Sequence, residues 1–181
     1  KSCVEGLNLA SQKLMEKVKG NLINVTIEND VTTIPVGMFG GDGISDGCVM
    51  LTSITIPQSV TSIGAYAFNG CTGLNEVNLA EGLTTIGREA FSGCTALVSI
   101  ILPDSVSSIG YRAFYNCTKL SSINYPKGLT TLPSYSSSYS GASYQGQVFY
   151  GCSSLTKIEI PEGVTSIPAY AFNGCSYLEE V

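Results

Sequence analysis

The sequence predicts an α/β solenoid: coils of 23 residues, each giving one short strand to a parallel β-sheet on the concave face, preceded by a capping helix. Three observations carry that expectation. Six cysteines stand at positions 48, 71, 94, 117, 152 and 175, separated by 23, 23, 23, 35 and 23 residues. Three residues after each comes a leucine: Leu51, Leu74, Leu97, Leu120, Leu155 and Leu178. Ahead of the first coil, residues 3–19 carry apolar groups at helical spacing instead. The chain therefore divides into residues 1–21, the expected cap, and residues 22–181, six coils and the start of a seventh.

The cap comes first. Cys3, Leu7, Ala10, Leu14 and Val18 are spaced 4, 3, 4 and 4 residues apart, which puts them on one helical stripe. Glu5 lies near the start and Lys13, Lys17 and Lys19 towards the end, as the helix dipole favours. Gly20-Asn21 is a natural stop. The stripe is expected to cover the open side of the first coil, because a terminal repeat must hide its apolar face. Cys3 fits that buried stripe; the alternative is a lipid-anchor cysteine exposed by removal of a signal peptide.

Each coil then reads the same way. The segment from the leucine onward, as in Leu51, Ile54 and Ile56 or Leu97, Ile100 and Leu102, ends in the alternation of a half-buried strand. A proline usually follows, at 57, 103, 126 and 161, where loss of a ladder donor matters least; Ala80 is the exception. Val60, Leu83, Val106, Leu129 and Val164, then Ile63, Ile86, Ile109, Leu132 and Ile167, mark a return segment along the opposite face. Gly64, Gly87 and Gly110 mark the turn out of it, and Phe68, Phe91, Phe114, Phe149 and Phe172 drop a ring into the core. A degenerate first coil holds Leu22, Val25, Ile27, Val31, Ile34 and Phe39 in the same columns. One coil cannot bury its own apolar side, so stability comes from its neighbours.

This periodicity changes the meaning of the cysteines. Seven in a chain of 181 residues would ordinarily point to a disulfide framework. One per coil, in register, is a packing column of small buried thiols instead. Side chains running parallel suit disulfide geometry poorly. With no histidine and no C-x-x-C pair, zinc is not expected, and neither is any cofactor.

Composition excludes several classes of partner. Charged residues make up 13% of the chain and the formal net charge is −5, with no run of Lys or Arg. A nucleic-acid binder presents a basic face, and anionic lipid attracts the same kind of face. No apolar stretch approaches the roughly 20 residues needed to cross a bilayer, so no membrane insertion is expected. The chain begins at Lys1 without Met and carries no signal peptide, which leaves room for a signal already removed. Acid–base catalysis usually needs a histidine or converging carboxylates; the first is absent and the second are scattered. No enzyme is expected.

Departures from the period are where recognition is sought. Six residues are added between Phe39 and Cys48 (GGDGISDG), and twelve between Leu132 and Phe149 (PSYSSSYSGASYQGQV). Asp42 and Asp46 in the first are a weak calcium signal. The second places Tyr135, Tyr139 and Tyr144 on a Ser/Gly background, the chemistry of an adaptable binding loop. The other candidate is the strip of strand positions that point away from the core: Ser53 and Thr55, Glu76 and Asn78, Ser99 and Ile101, Ser122 and Asn124, Lys157 and Glu159. It is polar and weakly charged, suited to a protein or glycan ligand.

The units CTGLNEVNLAEGLTTIGREAF (71–91) and CTALVSIILPDSVSSIGYRAF (94–114) resemble the BspA-like, or Treponema-type, leucine-rich repeat, whose pattern is C-x-x-L-x-x-I-x-L-P-x-x-V-x-x-I-G-x-x-A-F. The resemblance spans about residues 22–181 and rests on many columns at once. It implies a right-handed curved leucine-rich-repeat superhelix, secreted or displayed on a bacterial or sometimes protist surface. It also implies adhesion to host matrix proteins or neighbouring cells, with partners that the repeat itself does not define. A structural spacer presenting another domain is the alternative. The last strand stops at Val181 without a cap, and end-to-end self-association through that edge is the matching expectation.

Overall fold

A computed structural model describes residues 18–19, 23–40, 47–133 and 146–181. Each coil passes through two short strands, and like strands of successive coils stack in parallel. The first ladder holds β2 (Asn24–Ile27), β4 (Ser53–Ile56), β6 (Glu76–Leu79), β8 (Ser99–Ile100) and β10 (Ser122–Ile123). The second holds β3 (Thr33–Ile34), β5 (Ser62–Ile63), β7 (Thr85–Ile86) and β9 (Ser108–Ile109). Register follows the sequence columns: Val25 lies opposite Ile54 and Ile54 opposite Val77, while Ile34, Ile63, Ile86 and Ile109 form the matching row of the second ladder. Single bridges carry both ladders onward, Ser122 to Lys157 to Glu180 and Thr131 to Ser166. Ser122 and Lys157 are neighbours although 35 residues separate them, so the twelve-residue insertion leaves the stack undisturbed.

The solenoid expectation holds; its helix does not. Among the described residues no helix is present, and β1 (Val18–Lys19), the end of the expected capping helix over 3–19, is extended. It pairs antiparallel with β2, Val18 opposite Ile27 and Lys19 opposite Thr26. The free edge of a ladder exposes backbone donors and acceptors, which a strand satisfies and a helix face does not. The rest of that segment, including Cys3, lies outside the described residues.

Strand burial alternates, with Val25, Ile27, Ile54 and Ile56 inward and Thr26 and Thr55 outward. Behind the strands runs one phenylalanine per coil. Phe39, Phe68, Phe91, Phe114, Phe149 and Phe172 form a continuous stack, with adjacent ring centres 5.1–5.7 Å apart and planes within 10°. The rings repeat at about the spacing that strand pairing imposes. Stacking is thus built into the period rather than chosen ring by ring.

Two columns have a more specific role than their spacing predicts. The cysteines are free and pack against the ring column. From the second cysteine of the column onward, each thiol donates to the carbonyl of the preceding coil's phenylalanine: Cys71 to Phe39 (3.5 Å), Cys94 to Phe68 (3.2 Å), Cys117 to Phe91 (3.1 Å), Cys152 to Phe114 (3.1 Å) and Cys175 to Phe149 (3.1 Å). Cysteine is small enough for the site and still supplies a weak donor. The glycines at 64, 87 and 110 are required by close approach. A Cβ on Gly87 would lie 2.5 Å from the Ala65 nitrogen, and one on Gly64 2.6 Å from the Val36 nitrogen.

Proline also has a readable effect. Pro57, Pro103 and Pro126 each open a turn by accepting a hydrogen bond from the residue three positions on, Val60, Val106 and Leu129. Ala80, the exception, keeps its N–H and donates it to the Ile56 carbonyl at 3.2 Å, adding a rung between β4 and β6. The next coil follows without continuous ladder bonding: β6 and β8 are neighbours, but the hydrogen-bonded sheets are β1-β2-β4-β6 and β8-β10.

Candidate functional site

The outward positions of the first ladder form a surface strip, but its members are not equally available. The Ser53 hydroxyl donates to Asn24 Oδ1 at 2.8 Å. Asn78 Nδ2 donates to Glu76 Oε1 at 2.9 Å, which fixes that pair side by side. Asn124 is consumed by the fold: its Oδ1 accepts the Leu102 N–H at 2.7 Å and its Nδ2 donates to the Leu102 carbonyl at 2.8 Å. Its amide thereby does the work of a backbone rung next to Pro103, and it leaves the set of candidate ligand contacts. At the far end Lys157 bridges Glu159 (3.2 Å) and Glu180 (2.9 Å), and those two carboxylates hold its ammonium above the ordinary lysine range. All three side chains are exposed, so the triad adds little stability.

Thr55, Ser99 and Ser122 make no side-chain hydrogen bond among the described residues and face solvent. Thr55 and Ser99 flank an open groove at the discontinuity between β6 and β8, together with Glu76, Asn78 and Ile101. Ile101 is 77% exposed, the most exposed large apolar side chain among the described residues. The strip thus has an apolar centre with hydroxyl, amide and carboxylate groups around it. Tyr135, Tyr139 and Tyr144, like Asp42 and Asp46, lie outside the described residues. Among the described residues no group of three or more His, Cys, Asp or Glu side chains converges as metal ligands, and no helix is long and apolar enough to cross a membrane.

The thiols are not poised for chemistry. Burial, the largest cause, pushes the Cys117 thiol up to about 12 and Cys175 to about 11, and raises Cys94 and Cys152 as well. A protonated, buried thiol is a poor nucleophile.

A second cluster went unnoticed in the sequence. It lies in the turns that lead from the second ladder through the phenylalanine column. Arg88 sits over the rings of Tyr66 (5.7 Å) and Tyr111 (5.6 Å), and Arg112 over Tyr111 (5.0 Å) and Tyr115 (4.6 Å). Tyr115 stacks on Tyr150 at 5.1 Å. Gln147, 5% exposed, accepts both the Arg112 Nε–H (2.6 Å) and the Tyr111 hydroxyl (2.9 Å) through one oxygen. The signal was present in the columns: three coils vary between an Ile-Gly and an Ala-Phe pair, and the fourth coil reads Tyr111-Arg112 there with Tyr115 just beyond. Tyr66, Glu89, Arg112 and Tyr170 share a left-handed backbone position, φ 52–66°. Non-glycine residues hold that conformation at a cost of roughly 1–2 kcal/mol.

This architecture is shared with known proteins. The BspA type leucine rich repeat region matches residues 41–144 and 142–181, in six copies, and the chain belongs to that family. Among solved structures it is similar to the leucine-rich repeat protein of T. pallidum, at 28% identity and TM-score 0.57, over 88% of this chain and 79% of that one. A leucine-rich repeat protein of Bacteroides ovatus matches at 28% identity and TM-score 0.59, over 87% of this chain and 45% of that one. One from Eubacterium ventriosum matches at 26% identity and TM-score 0.64, over 91% and 39% respectively. The chain thus spans less than half the length of the latter two. No curated protein matches it significantly.

Proposed function

We propose that the chain is a non-enzymatic recognition module of a bacterial cell surface, binding a protein or glycan ligand through the polar strip. One observation carries this reading. The groove beside β6 and β8 combines exposed Ile101 with unengaged Thr55 and Ser99 and the fixed Glu76–Asn78 pair. An apolar anchor ringed by hydrogen-bonding groups is the usual anatomy of a binding patch. The protonated, carbonyl-bound thiols supply no nucleophile, which supports binding rather than catalysis. The surface location rests on the family, whose members are associated with adhesion.

The test is a binding screen against extracellular matrix proteins and arrayed glycans. Ile101→Asp and Thr55→Ala are each expected to weaken the retained ligand, the former by about tenfold or more. A chain lacking residues 134–145 measures the contribution of Tyr135, Tyr139 and Tyr144. Unchanged binding by all three variants overturns the assignment.

A further inference from the structure

The Arg/Tyr cluster lies outside that strip and holds a cation in an unusual way. A guanidinium carries five N–H donors. Arg112 commits its Nε–H to Gln147, a neutral partner, and its π face to Tyr111 and Tyr115. The four donors on its two Nη atoms have no acceptor, and no carboxylate pairs with it, among the described residues. Neighbouring Arg88 is different: it pairs with Glu89 at 3.1 Å. Arg112 is only partly exposed, and a cation withdrawn from water normally has an anionic partner. Here no described residue supplies that partner.

The surroundings narrow the ligand. The Tyr115 and Tyr150 hydroxyls make no hydrogen bond among the described residues. The rings of Tyr111 and Tyr115 already carry guanidinium groups and Tyr150 against their faces, and the Tyr111 hydroxyl is engaged by Gln147, so the hydroxyls of Tyr115 and Tyr150 are the donors the cluster offers. Sugars recognised by aromatic residues lie on open ring faces, whereas the faces of Tyr111 and Tyr115 meet guanidinium groups and a ring. A carboxylate fits the two Nη atoms side by side, with hydroxyl donors alongside. Arginine and tyrosine held rigid are also the residues that dominate protein–protein contacts, and rigidity lowers the ordering cost of binding. We propose that this lateral surface is a second docking site, one that takes an acidic segment of a protein partner with an Asp or Glu carboxylate seated on Arg112.

A displayed library of random peptides, panned on the intact chain, tests the proposal. Selected peptides are expected to be rich in Asp or Glu. Their synthetic forms should bind about tenfold or more weakly to Arg112→Gln, and equally weakly when Asn or Gln replaces the acidic residue. Tyr150→Phe keeps the ring stack and removes one hydroxyl; it should weaken binding about threefold, a fraction of the Arg112 effect. Ile101→Asp should leave the peptides bound, which separates this site from the strip. Selection of non-acidic peptides overturns the proposal. So does equal binding by a folded Arg112→Gln, or Arg112-dependent capture of uronate- or sialate-bearing glycans with no acidic peptide selected. If Arg112→Gln is unfolded by circular dichroism, the Asp→Asn peptide exchange decides: unchanged affinity sinks the idea.

Discussion

Tyr125 occupies the column that other coils fill with Ile56, Leu79, Leu102 and Ile160. Its ring is buried at 6% exposure, and its hydroxyl has no hydrogen-bond partner among the described residues. A buried unsatisfied hydroxyl costs about 1–3 kcal/mol. Tyr125→Phe is therefore expected to stabilise the protein by about 1 kcal/mol, seen as a higher urea midpoint with an unchanged slope; a lower midpoint would show that the hydroxyl is satisfied. Asn124, beside it, shows where residue-level reading of sequence stops. Its strand position marks it as outward-facing, which is correct, but nothing in a strand pattern says that its amide folds back onto Leu102. The same limit hid Arg112. Its neighbours Tyr111 and Tyr115 are adjacent in sequence, but Gln147, which orients it, comes from beyond a twelve-residue insertion.

At the scale of the element, the coil is defined by what it presents to the next. Phe91→Ala removes a fully buried ring between two others and is expected to cost about 3–5 kcal/mol. Phe172→Ala, at a partly exposed ring, should cost distinctly less. Comparing the two by urea denaturation tests whether the ring column, rather than burial of any one ring, sets stability. Gly87→Ala is expected to cost about 2–3 kcal/mol, because its new methyl would meet neighbouring backbone rather than a yielding side chain; an unchanged midpoint would mean that adjacent coils separate easily. The first strand, the proline turn and the ring column were legible from the 23-residue period, since the apolar columns that repeat point mostly inward; the return segment was read without its strand. The capping helix was misread because Val18 and Lys19 satisfy a helical stripe in sequence and a strand edge in space. Only the edge of β2, a tertiary feature, distinguishes the two.

For the molecule as a whole, the thiol column links stability to pH. The folded state holds its cysteine protons more tightly than the ordinary value of 9.0, with Cys117 pushed up to about 12 and Cys175 to about 11. Unfolded thiols ionise near 9.0, so the unfolded state gains at higher pH. The contribution is complete below pH 9 and is lost as pH climbs from there towards 11 and 12. Urea midpoints should be flat between pH 7 and 8.5 and fall above 9, with a shallower fall in Cys117→Ala. Under native conditions an alkylating reagent should label half-buried Cys175 well before Cys94 or Cys117; rapid labelling of the inner thiols at pH 8 would contradict the assignment. The thiol bonds also give the solenoid a direction. Each coil hands a sulfur proton backwards and, through Phe68, Phe91 and Phe149, an amide proton forwards to the next coil's alanine carbonyl. The two flat sides of a coil are therefore as unlike as plug and socket, and a coil turned over between its neighbours would set donor against donor and acceptor against acceptor.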